Sequence, residues 1–194
     1  MSIIRQSFET KAIIYTPFTK KPQVFTLVEG YVSASTIDDE GKNRIHLIYG
    51  PGAYFPVLSI LRGSPQRATY TALSNVVLES ESAVDFLSRL DSDSNFCRLI
   101  LQKTVDQMAL FAERVIDLQL TKLTDRIERK LHILALGQGV VAEGGRELPY
   151  VLRHHHLADM LGVERESVSR ALSALVAQKR IAVLSDGRFF VPSQ

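Results

Sequence analysis

The sequence predicts an α+β chain: strands first, a long helix in the middle, and a small helical module ending in a hairpin. Three observations predict it. Residues 1–92 hold short apolar runs broken by Gly and Asn turns. Residues 94–120 repeat apolar side chains at helical spacing with no Gly or Pro. Residues 157–191 read as two short helices, a turn at Gly162, then a strand, an Asp186-Gly187 turn and a second strand.

In the first part, Phe25 to Val28 leads into a Glu29-Gly30 turn and a strand from Tyr31 to Ile37. Asp38 to Lys42 is a hairpin loop, and Arg44 to Tyr49 returns from it. Gly50-Pro51-Gly52 is another turn. Ala68 to Leu73 and Val76 to Ser80 follow, broken at Ser74-Asn75. Short, evenly spaced strands of this kind make a β-sandwich or jelly roll. Ser82 to Leu90 is a short helix with Ser82 as its cap.

The long helix runs from Ser94 to Leu120. One apolar stripe is Phe96, Ile100, Phe111, Val115 and Leu118; another is Val105, Ala109, Ala112, Ile116 and Leu120. Two stripes need two partners. The first stripe is the expected seam of a homodimer formed by the same helix of a second copy. The alternative is one thick core within a single chain. Leu123-Thr124-Asp125 reads as a hinge, and Asp125 as the N-cap of a helix from Arg126 to Leu136. Leu148 to Leu152 reads as a short strand beside the terminal hairpin. The expected division is 1–92, 93–122 and 123–194.

In LADMLGVERESVSRA, residues 157–171, Gly162 can take the positive φ that ends one helix and turns the chain into the next. Val168, Ala171, Leu172 and Leu175 form a buried face. The opposite face carries Arg165, Glu166, Ser167, Ser169 and Arg170. An Arg-bearing polar face on the second helix suits the major groove of double-stranded DNA. Arginine donates two hydrogen bonds to guanine O6 and N7, and glutamate accepts one from cytosine N4. Arg165, Glu166 and Arg170 are therefore the expected base readers. Glu166 and Arg170, four residues apart, can also pair within the helix. Ser167, Ser169, Lys179, Arg180 and Arg188 are candidate phosphate contacts. So are His154 and His155, at the start of the first helix. Three consecutive histidines on a helix point about 100° apart, so His154, His155 and His156 do not converge on one metal ion.

The run LADMLGVERESVSRALSALVAQKRI resembles the DNA-binding signature of the Crp/Fnr family of bacterial transcription regulators. The likeness extends upstream through Val28 to Gly30, the DDEGK loop, GPGAYF at 50–55 and PQRATYTA at 65–72. It implies a cyclic-nucleotide-binding type of β-roll, a dimerisation helix and a C-terminal winged helix-turn-helix. It also implies a homodimer on a near-palindromic operator with TGTGA-type half-sites, RNA polymerase as a partner, and control by a small effector. Arg67 falls where the family's phosphate-binding arginine would stand. The Gly-Glu pair whose carboxylate holds the ribose is replaced by Tyr54-Phe55-Pro56-Val57-Leu58. Phe111 and Ala112 stand where hydroxyl residues would touch adenine. The expected effector pocket, lined by Arg67, Ala68, Phe55, Pro56, Val57, Phe111 and Ala112, is thus more apolar, and cyclic AMP is not its expected ligand. Two alternatives are a vestigial β-roll without an effector and a cyclic-AMP sensor with an altered pocket.

Composition narrows the remaining classes. The net charge is +2, with nine basic and nine acidic side chains in residues 1–92, eight of each in 93–147, and six against four in 148–194. The small excess therefore lies in the last module. Cys97 is the only cysteine, so neither an internal disulfide nor a cysteine-held cluster is expected. His46 is the only histidine before residue 93, which does not support a metal-dependent enzyme built on the jelly roll. No P-loop or G-x-S-x-G appears, so catalysis and a catalytic cofactor are not expected. No signal-peptide core or membrane span is read, and the expected location is the cytoplasm.

Overall fold

The computed structural model describes residues 3–19, 21–64, 67–117 and 119–193. The strand-rich part contains β1 (Ile4–Phe8), β2 (Ile13–Tyr15), β3 (Gln23–Glu29), β4 (Val32–Ile37), β5 (Asn43–Tyr49) and β6 (Tyr54–Phe55). A short helix α1 (Val57–Leu61) precedes β7 (Thr69–Ala72) and β8 (Val76–Ser82). The strands form two four-stranded sheets, in the orders β1-β8-β3-β6 and β2-β7-β4-β5. β1, β2, β6 and α1 are additions to the sequence reading. The strands among them are short or mostly exposed, so they lack a strong alternating pattern.

Strand periodicity puts successive side chains on opposite faces, and β3 uses both. Phe25 and Leu27 enter a core with Tyr15, Val32, Phe55, Tyr70 and Leu78. Phe55 stacks between Phe25 and Tyr70, with ring centroids 5.4 and 4.7 Å away. Val24 faces the other way and packs with Val57, Phe86, Phe96 and Ile100. Phe86 belongs to α2 (Ala83–Ser92), whose N-cap Ser82 Oγ accepts from the Asp85 backbone N–H. Phe96 and Ile100 belong to α3 (Ser94–Asp117).

That placement corrects part of the expected seam. Phe96 and Ile100 are buried inside their own chain, because β3 and α2 present an apolar surface to the first turns of α3. Phe111 and Val115 are exposed, and Leu118 lies outside the described residues. A different stripe stays open: Leu101, Val105, Met108, Ala112 and Val115, spaced by four and three in alternation. Leu101, Met108 and Val115 are each more than 60% exposed, with values of 62, 66 and 63%.

The C-terminal elements are α4 (Leu123–Gln138), β9 (Val140–Ala142), β10 (Gly145–Glu147), α5 (His154–Leu161), α6 (Arg165–Ala177), β11 (Ala182–Val183) and β12 (Phe189–Pro192). The strands form one sheet in the order β11-β12-β10-β9. Two sequence expectations change here. Asp125 lies in the first turn of α4, whose N-cap is Lys122, so the hinge reading at 123–125 is replaced by helix. Leu148 to Leu152 is not a strand; Leu148 donates its N–H to Phe189 O at 2.8 Å, and the wing pairs with β10 instead. The core of this part holds Ile127 and Leu131 of α4, Leu157 of α5, Leu175 of α6, Ile181 and Phe189.

Contacts divide the chain into two units, 1–36 with 46–111 and 37–45 with 112–194. The sequence places boundaries after 92 and 122; the contacts place one inside α3 and group the loop 37–45 with the C-terminal unit. No helix among the described residues is long and apolar enough to cross a membrane.

Gly30 takes φ +86°, and a Cβ there would lie 2.2 Å from Asn75 O and 2.7 Å from Val76 Cγ1. Gly52 has a similar φ of +80°, but its nearest neighbour would be the flexible Lys103 Nζ at 3.9 Å. Gly52→Ala should cost about 1 kcal/mol of stability for the backbone angle alone, and Gly30→Ala ~2–3 kcal/mol or more. Urea unfolding followed by circular dichroism measures both; equal losses would mean that the Asn75 carbonyl yields freely.

Candidate nucleic-acid interface and ligand cavity

The turn between α5 and α6 follows from Gly162. Its φ of 68° and ψ of 37° are left-handed, and its N–H and that of Val163 both reach Ala158 O, at 2.9 and 3.2 Å. α6 then buries Val168, Ala171, Leu172 and Leu175. Its outer face carries Arg165, Glu166 and Arg170, all exposed, with Ser167 and Ser169 half-buried beside them. No ion pair joins Glu166 to Arg170; Arg170 Nη2 instead approaches Ser167 Oγ at 3.5 Å. Two guanidinium groups and one carboxylate thus stand on one helix face with no ionic partner among the described residues.

One hydrogen bond joins the start of α5 to α6, and a second, within α6, orients it. The Ser169 hydroxyl donates to Arg165 O at 3.1 Å, leaving its oxygen to accept from His154 Nδ1 at 2.7 Å. His155 is exposed, and its ring meets that of His156 edge-on with centroids 4.1 Å apart. His156 has a different task. Its Nδ1 accepts the Arg153 backbone N–H at 3.2 Å, which is half of a capping box. The Arg153 side chain carries only donors and cannot complete the other half. Burial, helped by the charges of His155 and Arg153, depresses the His156 pKa to about 4. Among the described residues no group of three or more His, Cys, Asp or Glu is placed to hold a metal ion.

The remaining basic candidates divide into two kinds. Arg180 donates to Glu128 Oε1 at 2.9 Å and to Asp125 Oδ1 at 3.0 Å, joining the end of α6 to the first turns of α4. Those carboxylates hold its pKa well above the usual arginine value. Arg188 pairs with Asp186 at 2.6 Å and Glu147 at 3.2 Å inside the wing. Lys179 is exposed just beyond α6, at a left-handed φ of 58°. It has no ion pair among the described residues and is the most available of these three cations. The acidic partners were not legible in the sequence, because they lie some fifty residues from Arg180.

Loop 37–45 adds contacts that no local pattern announces. Lys42 Nζ meets Glu164 Oε1, at the N-cap of α6, at 2.9 Å, and Asn43 Nδ2 donates to Asp159 Oδ2 at 2.8 Å. Lys42 lowers the pKa of Glu164 by hydrogen bond and charge, both groups being exposed. A second arginine bridge is internal to the same unit: Arg126 Nη2 donates to Leu161 O at 2.8 Å and so satisfies a carbonyl at the end of α5.

In the N-terminal unit a cavity of about 240 Å³ opens beside α1. Of the residues expected there, Pro56, Val57, Arg67, Ala68 and Phe111 line it. Phe55 does not: it is fully buried in the aromatic stack of the core, because β6 points it inward. Ala112 is also absent from the lining. Arg62, His46, Tyr49, Tyr70, Ser59 and Gln107 are among the further wall residues and were not anticipated. Burial pushes the Tyr49 hydroxyl up to about 12, so it stays protonated. The described lining contains no Asp or Glu.

Residues 5–93 match the family described as the cyclic nucleotide-binding domain, and residues 125–193 match the Crp-like helix-turn-helix domain. A global nitrogen regulator from Nostoc sp. is 24% identical over 180 residues, covering 92% of this chain and 81% of that protein. A CRP-like cAMP-activated global transcriptional regulator from Mycobacterium tuberculosis is 22% identical over 151 residues, 78% of this chain and 67% of that protein. Among solved structures, FixK2 from Bradyrhizobium japonicum superimposes with a TM-score of 0.82 at 20% identity, covering all of this chain and 94% of that one.

His156 links this site to pH. Protonating Nδ1 removes the acceptor for Arg153 N–H and puts a cation at a helix N-terminus. The unfolded chain takes up that proton near pH 6.5 and the folded chain only near about 4. Stability of the C-terminal unit is therefore full above the unfolded value and falls as pH drops from about 6.5 toward 4. His156→Gln keeps an acceptor at the same position and should flatten that part of the curve. Thermal melts across this range test it; an unchanged slope in the variant would refute the assignment.

Proposed function

The chain belongs to the Crp/Fnr family of transcription regulators, and from that premise we propose that it acts as a homodimer on a near-palindromic operator under the control of a small effector other than cyclic AMP. The observation that carries the DNA reading is the outer face of α6, where Arg165, Glu166 and Arg170 are exposed and held by no salt bridge among the described residues. Arg165 and Arg170 contact guanines and Glu166 a cytosine of the opposite strand, in half-sites of the TGTGA type about one helical turn apart. Lys179 and His155 contact phosphate, and Arg180 and Arg188 hold the module together. RNA polymerase is the partner at the promoter, and the cytoplasm is the location.

The dimer reading rests on the open stripe from Leu101 to Val115. Its alternating spacing of four and three matches a two-helix seam. The effector reading rests on the cavity and on its apolar wall. A nucleotide's ribose hydroxyls would meet no carboxylate among the described lining residues, and a buried hydroxyl without a partner weakens binding.

Selection from a random DNA pool should return a palindrome with G·C pairs at the positions read by α6. Glu166→Ala should relax the preference at one base pair by about 1–3 kcal/mol. Lys179→Ala should weaken all sequences alike and flatten the salt dependence. A pool without a palindrome would overturn the reading. For the dimer, Met108→Glu should give a folded monomer in light scattering, because a carboxylate would be buried at the seam. Ile100→Glu should instead lose the fold, since its site is inside the chain. A dimeric Met108→Glu protein would remove α3 from the interface.

A further inference from the structure

We infer that the β-roll binds an elongated aliphatic carboxylate, its acid group at Arg62 and Arg67 and its chain laid along α3. This rests on the reading of the roll as an effector domain and goes further by naming the ligand class. The first cavity, about 240 Å³, adjoins a second of about 150 Å³. Val57, Leu58, Gln107 and Phe111 line both. Small-molecule sites run to roughly 300–1,000 Å³, so neither cavity alone reaches the range and the pair does. Beyond the shared wall the second cavity is bounded by Tyr54, Leu61, Ile100, Lys103, Thr104 and Met108. The walls of both are mostly apolar.

The guanidinium groups belong to one cavity, while Lys103 and Thr104 of α3 line the other. Arg62, at the end of α1, and Arg67 line only the first cavity. Arg62 makes no ion pair among the described residues. Neither cavity has an Asp or Glu among its described lining residues, so an anion meets no like charge. A guanidinium matches a carboxylate with two parallel hydrogen bonds. Both arginines are exposed, so the charge is screened and selects the ligand's sign more than it holds the ligand. Retention comes from burying the chain. Each added methylene should tighten binding about fourfold until the second cavity is filled. A sugar or nucleotide would bring many hydroxyls to walls that are mostly apolar and hold no carboxylate among their described residues.

Calorimetry on the full chain tests this with hexanoate, octanoate, decanoate, 1-octanol and cyclic AMP, beside DNA affinity measured with each probe. Affinity should climb from hexanoate to decanoate, and octanoate should bind at least tenfold tighter than 1-octanol. Arg62→Ala with Arg67→Ala should bring octanoate down to the level of 1-octanol without changing the latter. Thr104→Phe, which narrows only the second cavity, should remove the gain beyond hexanoate and leave hexanoate itself unchanged. Equal binding of octanoate and 1-octanol would overturn the role of the arginines. Binding of cyclic AMP but not the carboxylates would overturn the ligand class and the exclusion of cyclic AMP, and would keep only the reading of the roll as an effector domain. Silence of every probe, with DNA affinity unmoved, would overturn both.

Discussion

One helix carries more apolar surface than one chain can cover, and the arrangement follows from that. α3 needs a partner on each of its apolar faces. β3 and α2 cover the first turns through Val24 and Phe86, which close over Phe96 and Ile100. Nothing among the described residues of the same chain covers Leu101, Met108 or Val115. A stripe of this length is costly to leave in water, since each such side chain gains about 1.5–3 kcal/mol on full burial. The seam proposed for a two-fold pairing of α3 is what the roll leaves over.

The C-terminal unit solves a different problem: which arginines stay available. Arg126 and Arg180 are used to fasten α4 to the ends of α5 and α6, by a carbonyl and by two carboxylates. Arg188 is used inside the wing. What remains on the outer face of α6 is Arg165 and Arg170. The same residue type therefore serves two ends, and the distinction lies in whether an acid stands within reach. Glu166 beside them has no ion pair among the described residues. A carboxylate facing a phosphate backbone is repelled unless it meets a base donor, so its presence there favours reading over simple attraction.

This distinction marks how far the sequence could be read. Gly162, the buried face of α6 and the Asp186-Gly187 wing were legible because each depends on residues a few positions apart. Arg180 and Arg188 looked like phosphate contacts because their acidic partners are not local in the chain, or do not advertise themselves as partners. The same limit explains Phe96 and Ile100: periodicity showed that they are buried, but not against what. Phe55 failed for a related reason. Alternation in a two-residue strand such as β6 gives no direction, so its neighbours Pro56 and Val57 line the cavity while Phe55 fills the core. Asp38 to Lys42 was legible as a hairpin loop but its contacts were not, since Lys42 and Asn43 find their partners more than a hundred residues away.

The cavity and the seam share a helix, and that bears on control. Gln107 and Phe111 wall the first cavity, and Met108 of the open stripe lines the second. A side chain on one face of α3 cannot shift far without carrying its neighbour on the other, because the helix backbone is hydrogen-bonded throughout. Under the proposed function, a ligand packed against Gln107 and Phe111 would therefore report its presence on the seam. It alters the DNA-binding population only by the difference in its affinity for the two dimer geometries. Turning a 1:99 mixture into 99:1 takes roughly a 10⁴-fold difference. Exposed arginines alone, working through screened charge, do not supply so large a ratio; burial of an apolar body against α3 in one geometry and not in the other is the kind of contact that does.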